Sequence, residues 1–254
     1  MQLLSDAIKV RLSQGKQFVP DVRKANPVGF RGLPVIGSQP CDSGCSKCVE
    51  ECPTSAITLE PFSIDLGSCV FCDECTRSCP TNKVSFEAGY RMASRTREGL
   101  VVREGHALNA VEASDWIRKI FGRSLKLRSV SAGGCNGCEL EVNAMANVNF
   151  DCGRFGIDIV ASPRHADGLI LSGPISSNMA EALALTYEGM PDPKFVIAVG
   201  ACAISGGVFV PSPAIDRSFL DRFKPDLYVA GCPPHPLSIV NGILDLIGHA
   251  DGSW

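Results

Sequence analysis

A chain of 254 residues, 45% hydrophobic and 20% charged, can bury the core of one large domain or two ordinary ones, which excludes a disordered protein. The formal net charge of −3 is small but blocked: basic over residues 1–34, acidic over 41–80, basic over 83–128 and acidic from 129 onward. The 13 cysteines are clustered and odd in number. No secretory signal is visible in Met1 to Gln14, which Asp6, Lys9 and Arg11 interrupt. The cysteines therefore read as metal ligands of a cytoplasmic chain before they read as disulfides. No stretch approaches the roughly 20 apolar residues of a membrane span, so any membrane association is expected to be peripheral.

Leu4, Ala7, Ile8 and Leu12 fall at helical spacing with Gly15 as the stop, and predict a small helix packed on its own protein or, alternatively, docked on a partner. Pro20 to Pro40 reads as extended chain, and residues 1–34 as an N-terminal arm. Next, Cys41-x3-Cys45-x2-Cys48-x3-Cys52-Pro53 precedes Cys69-x2-Cys72-x2-Cys75-x3-Cys79-Pro80. Three closely spaced cysteines wrap one 4Fe–4S cubane, and the fourth, set before proline, reaches the other. This spacing assigns one cluster to Cys41, Cys45, Cys48 and Cys79, and a second to Cys69, Cys72, Cys75 and Cys52. Structural zinc is the competing reading, and all-sulfur runs without histidine count against it. Short β-type stretches after each run, Ala56 to Leu59 and Val84 to Phe86, complete an internal repeat. Residues 35–90 are thus expected to form an α+β, ferredoxin-like two-cluster domain.

Residues 91–125 read as a basic linker, with one helix over Ala110 to Phe121 carrying Trp116 and Ile120. No aromatic platform or base-reading motif accompanies the charge, so nucleic acid is not an expected partner. From residue 126 to 254 apolar runs alternate with helical ones. The predicted strands are Lys126–Ser131, Ile157–Ala161, Gly168–Leu171, Phe195–Val199 and Leu227–Val229; the predicted helices are Glu139–Val148, Ser177–Tyr187 and Leu237–Ile247. This pattern implies an α/β, flavodoxin-like domain with a parallel sheet covered on both faces. Cys135 and Cys138, Cys202, and Cys232 follow the first, fourth and fifth strands, in glycine-flanked loops that can share one sheet edge. Four such thiolates suit a third 4Fe–4S cluster, with iron held throughout by cysteine. Cys152 is left over and is expected to be an unligated thiol.

The motifs GGCNGCELE, FGIDIVASPRHADGLILSGP, TYEGMPDPKFVIAVGACAISGGVF and DLYVAGCPPHP cover most of the second domain. On them it resembles the small subunit of energy-converting (group 4, complex I-like) nickel–iron hydrogenases and the homologous cluster subunit of respiratory complex I. The segment from about Phe30 to Tyr90 resembles the two-cluster ferredoxin subunit of the same complexes, so the chain looks like a fusion of the two. The two-residue gap between Cys135 and Cys138 is similar to the hydrogenase pattern; the complex I subunit has adjacent cysteines. The resemblance implies that this third cluster lies nearest the catalytic partner, that Glu139 is an acidic position beside it, and that Arg164 and His165 belong to a subunit-contact loop. Read from the residues alone, Glu139 is equally a first-turn acid at a helix N-terminus, and His165 and His235 are ordinary loop histidines.

Twelve cysteines are consumed by three clusters, and the one left cannot hold nickel and iron. The chain is therefore expected to be a non-catalytic electron-transfer subunit, relaying electrons to or from a nickel–iron large subunit, with further redox subunits and a membrane arm as possible partners. The same relay in a complex I-like oxidoreductase without nickel is the alternative, and a non-redox metal-binding module is the third reading.

Overall fold

The computed structural model describes residues 2–14, 18–106 and 108–249. Gly15, the expected stop of the first helix, and the last five residues of the expected second domain lie outside them. Helix α1 (Gln2–Gln14) forms as its spacing predicts, but Leu4 is 69% and Leu12 77% exposed, so it does not pack on its own protein. The segment expected to be extended instead turns repeatedly before β1 (Leu33–Ile36). It is pinned to the body by Arg23, which pairs with Asp245 and donates to Asn241 Oδ1 at 3.1 Å, and by Asn241, which donates to Val22 O at 2.9 Å.

The cysteine-rich part is built twice on one plan. Helix α2 (Lys47–Glu50) leads to β2 (Ile57–Leu59) and β3 (Phe62–Asp65); helix α3 (Glu74–Ser78) leads to β4 (Val84–Glu87). β1 pairs with β4 antiparallel, and β2 and β3 form a second antiparallel ladder. Residues 91–125, expected to be a linker, supply a strand to each half of the molecule. β5 (Ala93–Ser94) borders the large sheet and β6 (Val101–Arg103) extends the β2–β3 ladder. The helix expected over Ala110 to Phe121 is only α4 (Asp115–Phe121), because the Ser114 N–H is donated to Leu246 O at 2.9 Å and pins the chain before the first turn. Of its apolar residues Ile120 is 53% exposed, and Ile117 and Phe121 are the buried ones.

The remaining elements are β7 (Leu125–Ser131), α5 (Gly137–Ala144), β8 (Ile157–Ile159), β9 (Gly168–Ser172), α6 (Ser177–Glu188), β10 (Phe195–Val199), α7 (Ala201–Ser205), α8 (Ser218–Arg222), β11 (Leu227–Val229) and α9 (Pro236–Leu246). The sheet order is β5-β11-β10-β9-β7-β8, parallel throughout except for β5. Counting parallel strands by sequence, this is the 2-1-3-4-5 order of a flavodoxin-like sheet, with its switch point between β7 and β9. β9 and β10 are buried at every position, as a sheet covered on both faces requires. Ile170, Ile197 and Val199 pack on one face with Ile239, Val240 and Ile243 of α9. Leu169, Leu171 and Ala198 pack on the other with Leu183 of α6 and Phe219 of α8. That second core continues into Ile64, Leu66, Val84 and Val102, so the two parts of the chain share it.

Candidate functional site

Turns at the carboxyl ends of β7, β10 and β11 bring Cys135, Cys138, Cys202 and Cys232 to one edge of the large sheet, where parallel sheets place their ligands. Cys138 lies within electrostatic reach of the other three. Gly200, at φ +89°, makes room: a Cβ there would stand 2.5 Å from Cys138 Sγ and 3.5 Å from Gly231 O. Gly200→Ala is expected to strain the backbone and displace Cys138. In the metal-free chain Cys138 of the variant should react faster than in wild type with a thiol reagent; an unchanged rate would contradict the close approach.

Burial, with Glu139 and the neighbouring thiols adding to it, pushes Cys138 up to about 12. Burial likewise takes Cys202 to about 11, followed by Cys232, Cys135 and Glu139. Thiols crowded this way stay protonated by themselves; holding them all as thiolates takes a cationic core, and its binding releases their protons. Glu139 accepts from Ser172 Oγ at 2.7 Å. Burial would raise its carboxyl, but hydrogen bonds from Ser131 and Ser172 outweigh this and lower it below its ordinary range. An anion therefore sits beside Cys138 on the first turn of α5.

The repeated segment forms two more quartets. Burial first, then Cys79, Cys41 and Cys45, raise Cys48. Burial pushes Cys69 up to about 12, with Cys75, Cys52 and Cys72 contributing. The repeat extends to single hydrogen bonds. Ala56 N donates to Cys52 Sγ and Lys83 N to Cys79 Sγ, each at 3.2 Å and each from four residues on, around left-handed Ser55 and Asn82. Phe71 N donates to Cys69 Sγ at 3.3 Å. Donors aimed at sulfur stabilise the thiolate and tune an iron–sulfur centre.

The quartets also lie within electrostatic reach of one another. Cys75 senses Cys48, and Cys232 senses Cys72. Cys41 is exposed at one end and Cys135 and Cys232 at the other, whereas none of Cys52, Cys69, Cys72 and Cys75 is exposed. Among the described residues, no group of three or more His, Cys, Asp or Glu is arranged to hold a single metal ion. The arrangement is of sulfur in fours, the donor chemistry that iron–sulfur clusters take.

The loop entering Cys69 is clamped by a forked pair between Arg97 and Asp65, whose carboxylate also accepts from Gly67 N at 3.0 Å and Ser68 Oγ at 2.8 Å. Burial would raise Asp65, but the bonds from Arg97 and Ser68 hold it below its ordinary range. A depressed carboxyl contributes stability above its unfolded pKa and loses it as pH falls through the folded value. Asp65→Asn is expected to cost about 1–3 kcal/mol at neutral pH, a buried-pair value discounted for partial exposure. The cost should shrink in denaturant titrations carried out in increasingly acidic buffer; a pH-independent difference would contradict the clamp.

Other singled-out residues stand apart. Arg164 and His165 are exposed, in a turn (Pro163–His165) that crosses from β8 to β9. That crossing leaves the carboxyl end of β8 and is anchored by Val160 N to Leu127 O at 2.9 Å and Asp167 N to Lys126 O at 2.7 Å. His235 is no plain loop residue. Its Nδ1 caps α9 by accepting from Leu237 N at 3.1 Å, its ring packs between Phe30 and Phe150, and burial lowers its pKa. Cys152 is buried, donates to Ile157 O at 3.4 Å and senses no other thiol. Arg217, Ser131 and Ser172 went unmarked in the sequence; each acts through partners brought together only by the sheet.

Residues 135–246 match the family described as NADH ubiquinone oxidoreductase, 20 Kd subunit. The chain is 46% identical over 127 residues to the probable membrane-bound hydrogenase subunit mbhJ of Pyrococcus furiosus, covering 50% of this chain and 75% of that one. It belongs to the 20 Kd subunit family. Within that family it is also 40% identical over 131 residues to formate hydrogenlyase subunit 7 of Escherichia coli, covering 51% of each chain. With NAD(P)H-quinone oxidoreductase subunit K 1 of Acaryochloris marina it shares 44% identity over 110 residues, 43% of this chain and 47% of that one. The matched family segment begins at Cys135 and takes in Cys138, Cys202 and Cys232; the two cysteine runs precede it. This is a 20 Kd-type subunit related to members of hydrogenase and quinone oxidoreductase complexes. Among the described residues no helix is long and apolar enough to cross a membrane.

Proposed function

We propose that the chain is the electron-transfer subunit of a complex I-related nickel–iron hydrogenase, with a two-cluster ferredoxin-like unit fused ahead of its 20 Kd-type domain. The observation that carries this reading is the succession of three thiol quartets within electrostatic reach of one another, Cys48 to Cys75 and Cys72 to Cys232, with no exposed sulfur in the middle one. Cys41, Cys45, Cys48 and Cys79 hold the outer group; Cys52, Cys69, Cys72 and Cys75 the middle one; Cys135, Cys138, Cys202 and Cys232 the inner one. When bound, three 4Fe–4S clusters supply one-electron storage at these points. The chain's own residues fix the order, partly bury the middle quartet and aim backbone N–H groups at its sulfurs. The spacing of Cys135 and Cys138 favours a hydrogenase over a nickel-free quinone oxidoreductase. Cys152, buried against Ile157, leaves no thiol in this chain for nickel and iron, so the catalytic metal belongs to a separate large subunit. The relative named as a membrane-bound hydrogenase subunit supports peripheral attachment to a membrane arm.

Metal analysis of the anaerobically purified chain tests this. Three clusters of four require about twelve irons per chain. A value near eight would remove the inner site, and stoichiometric zinc would overturn the assignment.

A further inference from the structure

Arg217 belongs to no cysteine motif, yet most of its guanidinium hydrogen bonds go to the helix that presents Cys202. Nη1 donates to Cys202 O at 3.1 Å and to Pro174 O at 3.3 Å; Nη2 donates to Ala203 O at 2.8 Å and Ile204 O at 2.9 Å. A five-residue helix leaves its final carbonyls without partners in the helix, and here a cation supplies them. The same contacts tie α7 to the turn that follows β9, so one side chain holds two of the loops at the thiol edge.

The charge has no carboxylate to match it. Among the described residues no Asp or Glu lies within ion-pair distance of Arg217; Asp221 acts on it only from farther off. Arg97 is near enough to oppose it. Burial, the largest influence, lowers the Arg217 pKa, as expected for a cation drawn out of water. Neutral carbonyls satisfy its N–H groups but leave the charge uncompensated, which is costly unless an anion stands nearby. Asp221 is the larger opposing influence and the Cys202 sulfur the next; of the two, the sulfur belongs to the thiol edge.

We propose that Arg217 is the built-in counter-cation of the Cys135, Cys138, Cys202 and Cys232 site, a positioning residue that fixes Cys202 through the α7 carbonyls and raises the site's affinity for an electron. The inference rests on the three-cluster reading. A 4Fe–4S core with four thiolates is anionic and gains one further negative charge on one-electron reduction, so a fixed cation beside it favours the reduced form.

The test is an anaerobic redox titration of the iron-loaded chain, with dithionite as the electron source and electron paramagnetic resonance as the readout. The inner centre is identified as the signal absent from Cys138→Ser. Arg217→Gln, which keeps hydrogen-bond donors and removes the charge, should weaken that centre's electron affinity about tenfold, a fall of about 59 mV for a one-electron couple. The outer and middle signals should stay in place, and Arg217→Lys, which keeps the charge, should remain near wild type. Wild-type potential in Arg217→Gln with full iron would overturn the proposal, as would an equal fall in the glutamine and lysine variants. If Arg217→Gln does not hold the inner cluster, Arg217→Lys decides: retention at wild-type potential supports the counter-cation, and loss overturns it. A wild type with only two signals and eight irons would instead remove the three-cluster reading itself, and shows before any variant is titrated.

Discussion

Cys138→Ser is expected to abolish turnover of the assembled complex with every donor, whereas Cys72→Ser should block only donors that enter at the outer end. Cys138 is the innermost thiol of its quartet, pushed up to about 12 by burial, Glu139 and its three neighbours, so that site has no spare ligand. Losing a direct ligand exceeds the roughly 10–100-fold penalty typical of groups that merely support one. Cys72 is the thiol that senses Cys232 and so stands at the step between the middle and inner quartets. Without it the outer quartet is cut off, but a small redox dye that delivers electrons directly to the inner quartet bypasses the break. Rates with the dye and with a protein donor, measured on both variants beside their iron content, decide the matter. Equal loss in both variants with both donors, with two clusters retained in each, would rule out a linear order.

The cysteine runs were legible as short, fixed spacings in the sequence, the pattern in which iron–sulfur ligands come. The parallel sheet was legible for a related reason: Gly168–Ser172 and Phe195–Val199 are buried on both faces, so they read as continuous apolar runs. What escaped depends on partners far along the chain. Ala93–Ser94 and Val101–Arg103 are too short to show a period of two, and they become strands only because Leu227–Val229 and Phe62–Asp65 offer free edges. That weaving makes residues 91–125 part of both sheets. Ser172 reaches Glu139 across the β7–β9 register, and Arg217 gathers carbonyls from Pro174 and from Cys202 to Ile204. No local pattern marks a residue whose work is done through backbone oxygens. Helix α1 was legible in outline, and its exposed Leu4 and Leu12 show that amphipathic spacing alone does not name the surface that covers it.

Leu140→Asp is expected to break the complex with the large subunit while leaving this chain's iron in place. Leu140 lies two residues after Cys138, is 61% exposed and heads a thiol edge where Cys135 and Cys232 are exposed as well. An inner cluster that passes electrons to a metal outside this chain needs its outlet covered by protein, because water changes its potential. On the reading proposed above, the large subunit covers this edge through an extensive, obligate interface above roughly 2,000 Å² in total. A carboxylate placed in the apolar centre of such an interface is desolvated without a partner, and central positions commonly cost about 2–4 kcal/mol, a factor of roughly 30 to 1,000 in affinity. Arg164→Glu probes the crossing between β8 and β9 and measures whether the interface extends to that turn. Both variants are co-expressed with the large subunit and run on gel filtration beside wild type, with iron measured in every fraction. Wild type eluting alone with hydrogenase activity would overturn the need for a partner. Leu140→Asp binding as tightly as wild type would move the docking face away from the thiol edge. Retention by Leu140→Asp with loss by Arg164→Glu would put it on the crossing turn instead.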